Sequence, residues 1–358
     1  MSTELVKEDL PKQKGKYSES INNLFITTDC KTLIASFNSG YIKNEYLNKI
    51  QKSKYFKSVS LLSGSIGKIA CHSSSEFLFF SGGQNNSFRP SNVLVAWNSS
   101  TNEEQNTLDI KEEILNILIE FETGELHIII VIKNKIKIYN ARFELLYSLK
   151  TFDNPQGLCD VKKNKQGILT ILTLGSEVGD VCIFWPTLKT KCEYNIKKNI
   201  EIDLLKLNND SSLFAVVTKK SSKIYIHNSE NGSLIKILKR GNDFTKKIIY
   251  SVSFSENSKL LACISNSGTL HIFDLKKDKN KKGNIFSSLF SASLETSIKK
   301  IKIFSNEKSI CAFDSSSMIH ILSVDGCYQT ISGEDYSYSE KINILEKTKN
   351  DYVYSDDE

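Results

Sequence analysis

The feature that most constrains the fold of this chain is a pattern of paired apolar segments that recurs seven times. In each copy a short polar turn joins two segments that are rich in β-branched and other apolar residues. The copies begin at Leu33, Leu78, His127, Ile171, Leu213, Leu260 and Ile310, with spacings of 45, 49, 44, 42, 47 and 50 residues. Segments of this length and composition predict β-strands.

A repeat of roughly 40–50 residues with paired strands is typical of a β-propeller, in which each repeat forms one four-stranded blade. One blade cannot bury both faces of its sheet, so the blades pack side by side around a channel. Seven copies therefore predict an all-β, seven-bladed β-propeller, a single domain over residues 19–333. The second segment often ends where WD-repeat proteins carry Trp-Asp. That position holds degenerate pairs here: Trp97-Asn98, Tyr139-Asn140, Trp185-Pro186 and Phe273-Asp274.

The two ends of the chain lie outside the repeats. Residues 1–18 are polar and charged, and we expect a disordered N-terminal segment. Residues 334–358 contain 8 Asp/Glu and 3 Lys, which predicts an acidic, mobile tail. We expect neither a signal peptide nor a membrane span, because no apolar run approaches the required length. The 8 cysteines form no CxxC pair, so we expect reduced, buried thiols in a cytoplasmic protein.

The sequence contains no catalytic or metal-binding motif that we recognise. GxSxG and HExxH are absent, and the five histidines are far apart. The segment Leu62-Ser-Gly-Ser-Ile-Gly-Lys68 lacks the first glycine of a phosphate loop, and Ile69 stands where a hydroxyl must reach magnesium. We therefore expect no enzyme activity, no cofactor and no metal site, and we disfavour a propeller hydrolase.

Positive charge is concentrated in residues 219–302, which contain 17 Lys/Arg and 6 Asp/Glu, whereas the net charge of the whole chain is +6. Such a region predicts an anionic partner, whether nucleic acid, an acidic protein or a membrane surface. Lys239 and Arg240 are neighbours, and adjacent side chains of an extended strand point to opposite sides. Each cation could therefore serve its own anion pocket, although a solvated basic turn would have the same sequence.

Hydroxyl groups lie in the blades on both sides of these two cations. Thr218 and Ser222 belong to the preceding blade, and Ser265 and Thr269 belong to the next one. A cation surrounded by hydroxyls suits a phosphate group.

Several segments, in the same order along the chain, resemble the PROPPIN family of phosphoinositide-binding propellers of autophagy. The segment Leu238-Lys-Arg-Gly241 resembles the family's Phe/Leu-Arg-Arg-Gly motif, with Lys239 in place of the first arginine. The other matching segments are Asn154–Cys159, Gly82-Gly83 through Pro90–Trp97, Ile249–Ser251 and Gly268–Phe273. The resemblance covers most of the propeller.

This resemblance implies two binding sites for phosphatidylinositol 3-phosphate and 3,5-bisphosphate. The residues of the second site are Arg240, Ser265, Thr269 and His271, and all have the family's residue types. The residues of the first site are Thr218, Ser222, Lys239 and Lys198, where Lys198 replaces a histidine of the family. Tyr225 stands where the family has an arginine, so a permanent charge and a bidentate donor are lost. We expect the first site to be weaker or altered in preference.

The resemblance also implies a membrane-inserting loop over residues 275–297. Five lysines and one aspartate lie between Lys276 and Lys282. Four apolar residues then follow at positions that share one face of a short helix. Basic residues beside an apolar face are typical of an interfacial anchor, although a disordered insertion with a chance apolar cluster is the alternative. The residues expected to contact the membrane are Lys276, Lys277, Lys281, Lys282, Ile285, Phe286, Leu289 and Phe290.

The expected function is a monomeric phosphoinositide-binding scaffold, recruited from the cytoplasm to autophagic, endosomal or vacuolar membranes. Its expected partners are 3-phosphorylated phosphoinositides and autophagy proteins, without nucleic acid. The loop Gln84–Arg89 is a candidate for contact with a protein partner. The alternative is a WD-repeat interaction scaffold that has lost lipid binding and uses its basic region for an acidic protein.

Overall fold

The structure is a computed structural model that describes residues 21–27, 29–38, 40–45, 58–61, 64–84, 86–219, 221–241, 248–276, 293–338 and 341–344. These residues form 29 β-strands in seven sheets. The prediction of an all-β, seven-bladed propeller is therefore confirmed. Within these ranges no helix has the length and apolar character needed to cross a membrane.

The blades follow one another along the chain, and within each sheet the antiparallel strands are ordered from the inner strand to the outer one. Blade one is β1 (Ile21–Ile26), β2 (Thr32–Phe37), β3 (Gly40–Glu45) and β4 (Ser58–Leu61). Blade two is β5 (Ile66–Cys71), β6 (Phe77–Gly82), β7 (Val93–Asn98) and β8 (Glu103–Asp109). Blade three is β9 (Asn116–Glu122), β10 (Glu125–Ile132), β11 (Lys135–Tyr139) and β12 (Leu145–Lys150). Blade four is β13 (Cys159–Lys163), β14 (Leu169–Leu174), β15 (Asp180–Trp185) and β16 (Thr190–Asn195).

Blades five to seven complete the ring. Blade five is β17 (Ile202–Leu207), β18 (Leu213–Thr218), β19 (Lys223–Asn228) and β20 (Leu234–Lys239). Blade six is β21 (Ile249–Phe254), β22 (Leu260–Ser265), β23 (Thr269–Asp274) and β25 (Lys299–Lys302). Blade seven is β26 (Ser309–Phe313), β27 (Met318–Ser323), β28 (Cys327–Ser332) and β29 (Ile342–Asn343). The remaining strand, β24 (Ser293–Thr296), pairs with the outer edge of blade five.

The apolar core is divided into seven clusters, one at each contact between neighbouring blades. The second strand of a blade has neighbours on both faces, so it is mostly buried, and it consists of apolar residues with a few small polar ones such as Thr170 and Thr173. All six residues of β14 are buried, for example. Between blades five and six, Val217 and Leu238 pack against Phe273, and each is at most 1% exposed.

Blade seven packs directly on blade one and so closes the ring. Leu33 and Phe37 of the first blade contact the cluster that contains Leu322, Tyr328 and Ile344. Neither blade contains a strand from the opposite end of the described chain. We expect a mobile tail from residue 334 onward, but the outer strand β29 of blade seven lies within that segment. The residue after this strand, Ile344, is fully buried at the seam between blades seven and one.

The seventh sequence copy is displaced by one strand from the other six. Those six span the second and third strands of their blades, whereas the copy from Ile310 spans β26 and β27, the first and second. The second strand of blade seven begins at Met318, 58 residues after Leu260 begins that of blade six. The interval is longer because additional residues lie between β23 and β25.

This additional segment crosses to the neighbouring blade before it returns. β24 pairs in parallel with β20, in a register that sets Lys236 opposite Ser293 and Lys239 opposite Thr296. A buried ion pair joins the two strands, with Lys236 Nζ 2.9 Å from Glu295 Oε1 and both side chains 5% exposed. Lys236 also donates to the Leu275 carbonyl at 2.8 Å, so both ends of the segment are fastened to one side chain.

Candidate phosphate-binding site

The candidate site begins where β20 ends. Leu238 packs into the cluster between blades five and six, and Arg240 lies two residues further on the same side. The Arg240 N–H donates to the Ser222 carbonyl at 2.8 Å. Gly241 follows with φ +76°, a left-handed conformation that favours glycine. Lys239 therefore lies on the opposite face, where its cross-strand neighbour is Lys223.

The Arg240 side chain is enclosed between blades five and six and is 1% exposed. Its Nη2 donates to the Ser267 hydroxyl. Its Nε and Nη1 have no hydrogen-bond partner among the residues that the structure describes. Burial lowers the pKa of the guanidinium from its usual value, but the group stays a cation at neutral pH. Arg240 is thus a buried positive charge with two donor nitrogens, Nε and Nη1, that no described residue pairs.

Three hydroxyl groups converge beside this guanidinium at the turn between β22 and β23. Ser265 and Thr269 are cross-strand partners at the ends of these strands. The Ser267 hydroxyl lies between them, 3.4 Å from Ser265 Oγ and 3.3 Å from Thr269 Oγ1. The structure therefore brings together three of the four residues expected in the second site, Arg240, Ser265 and Thr269.

His271, the fourth expected residue, lies two positions after Thr269 on the same strand and is 4% exposed. Its Nδ1 is 3.1 Å from the hydroxyl of Ser297. Ser297 immediately follows β24, so the returning end of the additional segment contacts this part of the site.

Sequence reasoning missed two residues of this cluster. Ser267 is the hydroxyl that contacts Arg240, and its position between Ser265 and Thr269 could have identified it. Lys302 donates to the Ser267 carbonyl at 2.8 Å and to Asn306 Oδ1 at 3.0 Å, which adds a second cation. Lys302 is the cross-strand partner of Thr269, a pairing that spans the additional segment.

The residues expected in the first site are less closely assembled. Thr218 and Ser222 flank one turn and are buried, and Lys239 is half-buried at the end of β20. Lys198 is exposed in the segment before β17, with no described hydrogen bond or ion pair to the other three. The Tyr225 ring packs against the apolar cluster between blades four and five. The expectation of a weaker first site stays a prediction.

Of the residues expected to contact the membrane, only Lys276 lies in the described part of the chain, where it is exposed. The others, namely Lys277, Lys281, Lys282, Ile285, Phe286, Leu289 and Phe290, lie outside the described residues. The nearby edge of blade five carries three exposed apolar side chains, Leu234, Ile235 and Leu294, which are 41–51% exposed. The adjoining strand of blade six adds three exposed lysines, Lys299, Lys300 and Lys302.

Two further segments named in the sequence analysis, Asn154–Cys159 and the loop Gln84–Arg89, contain residues that form side-chain hydrogen bonds. Asn154 is buried and bridges its own turn, because its Oδ1 accepts from the Leu158 N–H at 2.7 Å and its Nδ2 donates to the Leu158 carbonyl at 3.0 Å. Arg89, at the end of the candidate partner loop, donates twice to the Glu104 carboxylate at 2.9 and 3.1 Å. The described ranges contain no group of three or more His, Cys, Asp or Glu residues arranged to hold a metal ion.

Comparison with known proteins shows which proteins this chain is similar to. No family model matches the chain. Autophagy-related protein 18e of Arabidopsis thaliana is 26% identical over 337 residues, which cover 90% of this chain and 86% of the relative. Autophagy-related protein 18 of Kluyveromyces lactis is 41% identical over 101 residues, 28% of this chain and 20% of the relative. The resemblance to the PROPPIN family is confirmed.

A further relative aligns over a length between these two. SVP1-like protein 2 of Pichia angusta is 27% identical over 218 residues, so the match spans 59% of this chain and 59% of the relative. Two PROPPIN structures share the fold. Hsv2 of Kluyveromyces marxianus aligns at TM-score 0.69 and 15% identity over 91% of this chain and 99% of that one. KlAtg21, solved with the coiled coil of AgAtg16, aligns at TM-score 0.68 and 17% identity over 90% and 99%.

Proposed function

We propose that this protein is a non-enzymatic scaffold that recognises 3-phosphorylated phosphoinositides through Arg240 and acts on membranes in autophagy. The observation that carries the proposal is the buried guanidinium, whose Nε and Nη1 atoms have no hydrogen-bond partner among the described residues. A buried charge without partners is costly, and an anion that accepts from both donors removes that cost. Phosphate oxygens accept from a guanidinium in a planar, bidentate arrangement.

The surroundings of Arg240 favour a phosphate monoester over a carboxylate. Ser265, Ser267 and Thr269 can donate to further oxygens of the same phosphate, and Lys302 adds positive charge beside them. A phosphate has enough oxygens to accept from several such donors at once, whereas a carboxylate has only two. This second site is therefore the principal one, and Lys239 with Thr218 and Ser222 forms a weaker, subsidiary site.

The edge that carries the site supports attachment to a membrane surface. Exposed Leu234, Ile235 and Leu294 adjoin the lysine-rich strand β25. Each lysine near an anionic membrane contributes about 1 kcal/mol, and each buried apolar side chain about 1.5–3 kcal/mol at full burial. Headgroup binding and surface attraction act together on one rigid rim, so the overall affinity exceeds that of either alone. Such a protein associates peripherally and reversibly from the cytoplasm.

The relatives support a role in autophagy. Several carry autophagy-related names, and KlAtg21 was solved with a coiled coil of AgAtg16. We propose that this protein, as a monomer, likewise recruits autophagy proteins to the membrane that it recognises.

Flotation with vesicles that contain phosphatidylinositol 3-phosphate tests the lipid proposal. Arg240→Met keeps most of the side-chain volume and removes the charge, and it should weaken binding about 30-fold or more, since hydrogen bonds to charged groups contribute about 1.5–3 kcal/mol each. Lys239→Met should weaken binding less. The matched control is Arg142→Met, at an exposed arginine of blade three.

Thermal unfolding of each variant establishes that it is folded. Equal flotation of Arg240→Met and the wild type would contradict the site assignment. If the wild type does not float with these vesicles, the result would instead favour a scaffold that binds acidic proteins.

A further inference from the structure

The channel at the centre of the propeller holds a cavity of about 380 Å³. The inner strands of the blades line it, and three of the lining residues are lysines from three different blades. They are Lys68 on β5, Lys162 on β13 and Lys206 on β17, and they are called the channel lysines below. This cavity has no residue in common with the Arg240 cluster, which lies between the outer strand of blade five and the turn that joins β22 and β23 of blade six.

Among the described residues that line the cavity, the channel lysines outnumber the acidic groups. Asp160 is the one carboxylate among the described residues that line the cavity. Both of its oxygens are occupied, because Oδ1 accepts from Lys206 Nζ at 2.8 Å and Oδ2 accepts from the Leu207 N–H at 2.8 Å. The ammonium groups of Lys68 and Lys162 have no hydrogen bond and no ion pair to any residue that the structure describes.

The electrostatic surroundings of these two ammonium groups are unfavourable. Burial lowers the pKa of Lys162, and the charge of Lys206 lowers it further, against opposing effects of Asp160, Cys30 and Glu120. Burial and the charge of Lys308 likewise lower the pKa of Lys68, and Glu113 opposes them. The mutual effect of Lys162 and Lys206 shows that these two positive groups lie near one another, and such groups gain free energy when a multivalent anion lies between them, whereas Lys68 adds a further positive group on the wall of the same cavity.

We propose that the central channel binds a small soluble anion that carries two or more phosphate groups, held by the channel lysines. Each ammonium can donate to phosphate oxygens without a conformational change of the backbone, because the lysine stems already lie against the cavity. The cavity volume is within the range of ordinary small-ligand sites. A lipid headgroup has the same phosphate chemistry, so the experiment must separate the two sources.

Calorimetric titration with pyrophosphate tests the channel site directly. The wild type should bind pyrophosphate saturably, and Lys162→Met should lower the affinity tenfold or more. Lys68→Met, on a different blade, should also lower it, which provides a second variant if the first does not fold. Lys206→Met is unsuitable because it would leave Asp160 without its ion pair. The matched control is Lys150→Met, at an exposed lysine of the outer strand β12, which should bind as the wild type does.

Vesicle flotation of the same proteins separates this site from the lipid site. Lys162→Met should float with phosphatidylinositol 3-phosphate vesicles as the wild type does, and Arg240→Met should retain its affinity for pyrophosphate. Pyrophosphate should also raise the melting temperature of the wild type more than that of Lys162→Met. The proposal is overturned if the wild type does not bind pyrophosphate, if both lysine variants bind it unchanged, or if Arg240→Met alone abolishes binding. None of these outcomes depends on whether the vesicles bind.

Discussion

The buried ion pair between Lys236 and Glu295 should fasten β24 to blade five strongly enough to be measured. Its Nζ and Oε1 atoms are 2.9 Å apart, and both side chains are 5% exposed. Glu295→Leu would leave the Lys236 ammonium buried without its carboxylate, and removal of one partner from a buried pair costs about 3–5 kcal/mol. Lys236→Met should cost a similar amount. The double variant should be close to the wild type, because replacement of both partners by apolar side chains is often neutral.

Thermal unfolding of the four proteins gives the coupling free energy from a double-mutant cycle. The unfolding entropy is about 2.1 cal/mol/K per residue, summed over the roughly 300 residues of the propeller. A loss of about 3–5 kcal/mol should therefore lower the melting temperature of each single variant by about 5–8 °C. If β24 separates before the propeller unfolds, the loss appears instead as faster hydrogen exchange of the amides of 293–296. The reasoning is refuted if neither single variant changes the melting temperature or the exchange, or if the double variant shows the sum of the two single losses.

Three further outcomes follow from the sequence and the structure. The double variant Phe286→Ser, Phe290→Ser should float less with intact vesicles. Its affinity for a soluble short-chain phosphoinositide, measured by calorimetry, should be nearly unchanged. Equal loss for both ligands would mean that the loop shapes the pocket instead of inserting into the membrane. Burial raises the pKa of the Cys30 thiol to about 12, so iodoacetamide at pH 8 should label it at least about 100-fold more slowly than free cysteine, as measured by mass spectrometry. Burial opposes ionisation of Asp314, but hydrogen bonds with His320 and neighbouring groups hold its pKa below the usual value. The contribution of Asp314 to the free energy of unfolding is therefore present above about pH 4 and is lost as the pH falls further. Asp314→Asn should flatten this decline in stability, as measured by urea unfolding at several pH values.

The blade number was predictable because its signal is local. A second strand such as β14 is buried at all six positions, so four of its residues are apolar and the other two are threonines, and a polar turn joins it to the next strand. The hydroxyls of Ser265 and Thr269 were predictable for the same reason, since one hairpin carries both. The phase of the seventh copy was not, because β26 and β27 are two short, mostly apolar segments joined by a polar turn, the same pattern that the second and third strands form in the other blades.

The contacts of β24 could not be predicted from the sequence. A parallel pairing with β20 depends on two segments about 60 residues apart, and neither contains a turn signal that specifies the other. The position of Lys302 beside Ser267, and that of Ser297 beside His271, depend on the same return of the chain. These contacts come from tertiary packing and have no signal in residue type or spacing.

Among the residues that the structure describes, blades one and seven share no closing strand, so each blade can be moved within such a chain without dividing its neighbour. In a ring of this kind each sheet is encoded by one uninterrupted stretch, so a gene could be cut and rejoined at most linkers between blades without dividing a sheet. Blades five and six are the exception, because β24 belongs to the sheet of one and to the chain of the other. They can be duplicated, deleted or transplanted only as a pair, and the Arg240 cluster between them would be inherited with that pair as a unit.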